Sequence, residues 1–337
     1  MMKAIVQDKY GPPEDVLQLR EIDKPVIGDD EVLVRVRTTS VHPDVWHVVT
    51  GRPYVLRLMG AGVFRPKSPV PGTDAAGFVE SVGKDVTRFE PGDEVFGETH
   101  MKLQWRNGGA FAEYVSVPQD ALALKPSGIA FEEAAAVPTS GFIALHNLQS
   151  GQIQPGQSVL INGAGGGVGT IAVQLAKAYG ARVTGVDSTG KLEMVRSLGA
   201  DHVIDYTQED FTQRGERYDL IVDVASNLSF SACKRTLVET GTYVLIGHDH
   251  FGNVGSRTFG TMPHFFKLIL LSPFFRQLPD LSFSMPSKKD TMTALKEFLE
   301  AGKLTPVIDR TYPLKEVPEA MRHLQGGRAR GRIIITP

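Results

Sequence analysis

The run Val159-Leu-Ile-Asn-Gly-Ala-Gly-Gly-Gly-Val-Gly-Thr170 carries the densest chemistry in this sequence. It joins a β-type apolar segment to a helix expected from Ile171 to Tyr179 through a turn rich in glycine. Backbone N–H groups in such a turn, together with a helix N-terminus, hold a negatively charged group, typically a pyrophosphate. The phase is Ala164-x-Gly166-x-x-Gly169, with alanine at the first usual glycine. Gly166 would admit phosphates close to the backbone, and Gly169 would let the helix pack close to the strand. Gly165, Gly167 and Val168 complete the cradle. Arg182-Val-Thr-Gly-Val186 reads as the next strand. Asp187, Ser188 and Thr189 follow it, about 20 residues after the glycines, where ribose is recognised. Strand, turn, helix and strand in this order set the run apart from a glycine turn without a ligand.

The elements that must position this turn change character along the chain. The first third is β-rich: Glu31–Arg37 alternates, and Gly77–Val82 and Ala110–Val117 follow. Gly11-Pro-Pro, Pro71-Gly72 and Pro91-Gly-Asp93 punctuate them, as in a compact antiparallel barrel or sandwich. Beyond Ser127 strands and helices alternate: Val159–Asn162, helix 170–179, Val183–Val186, helix 191–198, His202–Ile204, Leu220–Val224 and Tyr243–Gly247. That alternation predicts a parallel doubly wound sheet. A helix over Thr291–Ala301, then Val307–Tyr312 and a last strand Arg332–Thr336 close the chain, and that strand is expected to return to the first domain. The stretch Pro263–Phe275 is strongly apolar but too short to span a bilayer. It reads either as a lid or wall of a substrate pocket or as a core or dimer-interface helix; surface membrane attachment is a third reading, weakened by the lack of a strong basic face.

At 337 residues the chain suggests about two domains. An apolar content of 42% and a charged content of 22% are ordinary for a globular protein. The net charge of −2 gives no global attraction to nucleic acid or anionic membrane, and no nucleic-acid motif is present. Cys233 is the single cysteine, so no internal disulfide forms and a cysteine-rich zinc site is excluded. Met1-Met-Lys-Ala-Ile-Val6 reads directly as a strand rather than as a signal peptide, and a reducing, cytoplasmic setting is expected.

Several motifs together resemble the medium-chain dehydrogenase/reductase superfamily. They are Pro71-Gly-Thr-Asp-Ala-Ala-Gly77, Phe89-Glu-Pro-Gly-Asp-Glu-Val-Phe96, Gly109-Ala-Phe-Ala-Glu-Tyr-Val115, Ala134-Ala-Ala-Val-Pro138, the glycine turn, and Ser197-Leu-Gly-Ala-Asp-His-Val-Ile-Asp-Tyr206. The resemblance is closest to the zinc-independent, quinone oxidoreductase-like (zeta-crystallin-like) branch. It implies an α/β architecture: a GroES-like β-barrel catalytic domain over 1–126 and 286–337, a Rossmann domain over 127–285, and an active-site cleft between them. It also implies a homodimer acting on a small-molecule electrophile.

Zinc members of the superfamily use a Cys, a His and a Cys. Against their Cys-x4-His-x3-Gly pattern this chain has His42, His47 and Gly51, so His42 replaces the cysteine. Thr73 replaces the family histidine, and the third position falls near Thr139. One imidazole and two hydroxyls do not make a catalytic zinc site, so no metal is expected. Without a Lewis acid, alcohol oxidation becomes hard, and quinones, enones and activated aldehydes remain suitable acceptors. By the resemblance, His42 stands where the branch often has asparagine and would hydrogen-bond the acceptor oxygen; imidazole also titrates near neutral pH, which suits proton delivery. Asp44 and Tyr54 join it as catalytic candidates. The plainer alternatives are a His42 that satisfies a buried carbonyl and an Asp44 that pairs with arginine or caps a turn. His47 and Trp46 read as pocket wall or core, and Ile143 replaces a branch threonine near the nicotinamide.

Asp187 is the residue that favours NAD, because a carboxylate there hydrogen-bonds ribose hydroxyls and repels a 2′-phosphate. Ser188, Thr189, Lys191, Tyr206 and Arg330 oppose it; the branch uses a lysine and a tyrosine at such positions on the 2′-phosphate, and Arg330 resembles a further phosphate-binding arginine. The balance points to NADPH, with NADH as the alternative. Thr139, Asn227, Gly247 and His248 complete the cofactor candidates, the last three on loops ending parallel strands. Two rival functions are a carbonyl or alcohol dehydrogenase of the same superfamily and a non-catalytic NADPH-binding sensor or structural protein.

Overall fold

The computed structural model describes residues 1–101, 107–247, 251, 255–279 and 286–337. Two main sheets organise them. The first is mostly antiparallel and built around the long strand Glu31–Val41. That strand pairs with Asp74–Val82 on one side, with Val32 opposite Val82, and its second half pairs with the last strand, Arg332–Thr336. Tyr114–Pro118 pairs with its first half. Val32, Val34, Val79, Val95 and Val117 fill the interior, as alternation requires when one face is buried.

The second sheet is parallel. Its order is His202–Asp205, Arg182–Asp187, Ser158–Asn162, Tyr218–Asp223 and Leu237–Leu245. The central strand Ser158–Asn162 has Val159, Leu160 and Ile161 fully buried, the continuous apolar run that a sheet covered on both faces demands. Helix Gly167–Ala178 covers one face through Ile171, Ala172 and Leu175. Helix Pro138–Ser150 lies beside it, and Leu295 of helix Lys288–Glu300 packs at Gly141, where a Cβ would come within 2.8 Å of the leucine.

The helix after the glycine turn begins at Gly167, earlier than the Thr170 or Ile171 start expected from sequence. Glycine lowers helix propensity, so the sequence places the start late. Tertiary packing overrides it: a Cβ on Gly169 would sit 2.0 Å from the Gly163 carbonyl oxygen, so only glycine permits this close helix–strand contact. The apolar stretch also departs from the core reading. Helix Met262–Leu271 buries only Leu268, and Phe266, Leu270 and Phe274 are exposed. Among the described residues no helix is long and apolar enough to cross a membrane.

The two sheets meet at one buried cluster. Arg332, first residue of the last strand, directs Nη2 to Asp74 Oδ2 at 2.5 Å and to Ser40 Oγ. Asp74 Oδ1 accepts from the Thr139 backbone N–H at 2.9 Å and from Thr139 Oγ1 at 2.6 Å. The Arg332 side chain also lies under the start of helix Gly167–Ala178; a Cβ on Gly167 would fall 2.7 Å from its Cδ. Burial holds the guanidinium pKa below its usual value, and Asp74 opposes that shift. Removing one partner of such a pair strands the other charge. Arg332→Met is therefore expected to cost about 3–5 kcal/mol, read as a lower urea midpoint at unchanged slope.

Candidate functional site

A cleft of about 370 Å³ lies between the sheets, and residues far apart in sequence line it. From the first sheet come His42, Asp44 and His47; from the second come Asn162, Gly163, Gly166, Val168, Asp187 and Lys191; Tyr206, Asn227, Gly247 and Phe251 complete most of its wall.

The helix Pro43–Thr50 positions the first group. His42 is its N-cap, with Nδ1 accepting the Asp44 backbone N–H at 3.2 Å, and Pro43 presets the first turn. The chain leaves the helix at Gly51 in the left-handed conformation, φ 62°. Accepting at Nδ1 puts the ring proton of neutral His42 on Nε2. That Nε2 is buried and finds no hydrogen-bond partner among the described residues. His42 itself is part of the cleft wall, with Asp44 Oδ2 3.4 Å from its Nδ1. His47 is engaged differently: Nδ1 lies 2.8 Å from the Arg52 carbonyl oxygen, and the ring stacks parallel to Phe251 at 6.5 Å. Trp46 meets both rings edge-on.

The second group sits at the carboxyl ends of the parallel strands, where such sheets bind ligands. Gly166 is the N-cap of its helix, and the nearest atom to a Cβ built on it is 3.7 Å away, so the space above this backbone is open. Gly163 instead needs its left-handed φ of 88° to turn the chain. Asp187 braces the turn: Oδ2 accepts the Gly165 N–H at 2.7 Å and Oδ1 the Ser188 N–H at 2.8 Å. Lys191 Nζ lies 3.8 Å from Asp187 Oδ1 and donates to the Gly327 carbonyl at 3.3 Å. The Arg330 guanidinium approaches Gly190, within 3.6 Å of where its Cβ would be. Tyr206 is exposed at the same rim, and Thr189 Oγ1 donates to Asp205 Oδ2 at 2.5 Å.

Asn227 is held by a chain of hydrogen bonds. Tyr243 O–H donates to Asp223 Oδ2 at 2.8 Å, Asn162 Nδ2 donates to Asp223 Oδ1 at 2.8 Å, and the same amide donates to Asn227 Oδ1 at 2.8 Å. The oxygen of Asn227 therefore faces Asn162, which leaves its N–H2 as the donor end. Burial, together with the Asp223 charge, pushes the Cys233 thiol up to about 12, so it stays protonated and inert.

The cleft thus brings together nine of the catalytic and cofactor candidates, His42, Asp44, Gly166, Val168, Asp187, Lys191, Tyr206, Asn227 and Gly247, and His47 and Ile143 line it as well. Ala164, Gly165 and Gly167 belong to the same turn without lining the cleft, and Ser188 and Thr189 lie beside Asp187. Thr139 lies behind it on Asp74, and Arg330 lies at the rim. Tyr54 does not line it; it is exposed under the Arg57 guanidinium, 4.6 Å from its ring centre. His248 lies outside the described residues. Sequence reasoning passed over Asn162, Phe251 and Arg332. Asn162 ends the first parallel strand and Arg332 directly precedes three isoleucines, positions where a polar side chain is placed by a sheet.

The zinc positions hold a hydrogen-bonded pair of hydroxyls: Thr73 Oγ1 and Thr139 Oγ1 are 3.2 Å apart. Among the described residues no three His, Cys, Asp or Glu side chains converge as a metal site, so these residues do not fit a zinc ion. They do fit a dinucleotide: an open glycine backbone, a helix N-terminus and a cationic rim lie along one cleft.

Residues 28–127 match the family model of the alcohol dehydrogenase GroES-like domain, and residues 198–335 match that of the zinc-binding dehydrogenases. The 2-methylene-furan-3-one reductase of Solanum lycopersicum is 33% identical, over 100% of this chain and 79% of its own. The NADPH-dependent alkenal/one oxidoreductase of Arabidopsis thaliana is likewise 33% identical, over 100% and 80%. The chain belongs to the medium-chain dehydrogenase/reductase superfamily, in its quinone oxidoreductase-like branch. The quinone oxidoreductase of Coxiella burnetii has a similar structure, with a TM-score of 0.81 at 27% identity and coverage of 100% and 99%. The expected fold, a GroES-like unit with a Rossmann-type parallel sheet, and the expected class, an oxidoreductase, therefore hold for this member of the superfamily.

Burial keeps the His47 pKa below the ordinary 6.5 of an imidazole. The unfolded chain thus takes up a proton before the folded one does, and stability is lost as pH falls below about 6.5. In an NMR titration the His47 ring resonances should move only below pH 6.5, and the thermal midpoint should fall over the same window. A His47 midpoint at or above 6.5 would contradict the burial described here.

Proposed function

We propose that this protein is a zinc-independent, NADPH-dependent reductase of quinones, α,β-unsaturated carbonyls or related small electrophiles. The observation that carries the reading is His42, without a partner for its Nε2 among the described residues, in the wall of the cleft that also holds the glycine turn. When bound, the reduced nicotinamide supplies a hydride to an electrophilic carbon. Hydride addition to the conjugated carbon would leave negative charge on the conjugated carbonyl oxygen, as an enolate or hydroquinone anion. His42 Nε2–H is the donor for that oxygen, and the low-dielectric wall strengthens the bond as charge develops. His42 would act as that hydrogen-bond donor, with water supplying the proton that completes the reduction, and Asp44 Oδ2 lies 3.4 Å from the other ring nitrogen. Asn227 offers its N–H2 to the ribose or carboxamide side of the coenzyme.

The preference for NADPH follows from Lys191, Arg330 and Tyr206 around the loop Ser188–Lys191. Asp187 has an oxygen on each of two backbone N–H groups, so its charge is partly spent on bracing the turn rather than repelling a 2′-phosphate. The relatives named for NADPH and for alkenal or furanone substrates support this reading. A homodimer in the cytoplasm belongs to the same proposal.

A panel of quinones, enones, aldehydes and alcohols run with NADPH and with NADH tests it. Quinones or enones should be reduced with NADPH preferred. His42→Ala should lower kcat/KM by about 10²–10³, with coenzyme affinity little changed. Turnover of simple alcohols in place of enones, or NADPH binding with no turnover on the whole panel, would overturn the proposal. Lys191→Ala and Arg330→Ala should each raise the KM for NADPH by about tenfold or more while leaving that for NADH unchanged.

A further inference from the structure

Exposed apolar side chains are not scattered evenly over this molecule. Of fifteen exposed large hydrophobic residues among the described residues, nine lie in two segments. Tyr54, Leu58, Met59, Val63 and Phe64 belong to 52–67; Phe259, Phe266, Leu270 and Phe274 belong to 255–279. Phe64 is 92% exposed, Phe274 80% and Leu270 73%. The segments are joined: the Tyr54 N–H donates to the Arg257 carbonyl at 3.0 Å, and the Val55 N–H to that of Thr258 at 2.9 Å.

Their charge is as uneven. The whole chain balances 36 Lys and Arg against 38 Asp and Glu. Yet 52–67 and 255–279 contain Arg52, Arg57, Arg65, Lys67, Arg257, Lys267 and Arg276, and no acidic residue. Arg65, Lys67, Arg257, Lys267 and Arg276 are exposed. On helix Met262–Leu271 and the turn after it, Phe266, Leu270 and Phe274 project at intervals of four, with Lys267 and Arg276 among them.

We infer that these two joined segments form a docking surface for an anionic lipid bilayer. The apolar side chains would enter the acyl boundary while the lysines and arginines meet the phosphates, the arrangement of a protein that lies on a membrane without crossing it. Charge decides against a second copy of the chain as occupant. A two-fold dimer through this surface would set its cations against one another. The surface is independent of the hydride-transfer reading, because lipid binding needs no coenzyme.

Co-sedimentation with vesicles tests it, comparing phosphatidylcholine alone with an equimolar mixture of phosphatidylcholine and phosphatidylglycerol. The full-length protein should bind the mixed vesicles, release with added salt, and ignore the neutral ones. Leu270→Glu with Phe274→Glu, and separately Lys267→Glu with Arg276→Glu, should each weaken binding by about tenfold or more. All four positions are exposed, and unchanged circular dichroism would show that the variants fold. Absence of binding by the wild type, equal binding to neutral vesicles, or full binding by both variants would overturn the inference. So would self-association of the wild type in sedimentation velocity that the same variants abolish.

Discussion

One buried charge holds this structure in register. The Arg332 guanidinium has no access to water, so it must be answered inside the protein, and Asp74 and Ser40 answer it. Each partner sits on a different strand of the first sheet, while the arginine's stem lies under the first turn of the helix that opens from the glycine turn. This ion pair therefore ties the first sheet to the start of the helix that follows the glycine turn. Gly331, next to the arginine, adds a backbone bond from its N–H to the Gly165 carbonyl at 3.0 Å.

The same aspartate explains what became of the metal positions. Asp74 takes both the backbone and the hydroxyl of Thr139, and Thr139 in turn meets Thr73. Hydroxyls committed to a carboxylate and to each other stay protonated and neutral. The cleft nearby is lined instead by the imidazoles of His42 and His47 and by the amides of Asn162 and Asn227.

Much of this was legible in the sequence, for identifiable reasons. The glycine turn announces itself because its steric demand is local: Gly169 must lack a Cβ to approach Gly163, and no other residue type serves. The parallel sheet was legible because strands buried on both faces read as unbroken apolar runs, as in Val159–Ile161. Asn162 and Arg332 were not, because their roles depend on partners 61 and 258 residues away, Asp223 and Asp74. The exposure of Leu270 and Phe274 was equally invisible, since an apolar helix has the same pattern whether it faces a core or solvent. The bracing role of Asp187 hid behind its more familiar role toward ribose.

The last strand also bears on how the chain is made. Its partners were synthesised long before it: Val41 and Thr39 of the barrel pair with Ile333 and Ile335. Because Arg332 follows its partner Ser40 by 292 residues, a growing polypeptide on the ribosome carries an open strand edge and an unanswered Asp74 until this closing strand has been made. Assembly of the crevice thereby waits for this distant strand, and nascent chains of this fold expose a strand edge that chaperones can cover.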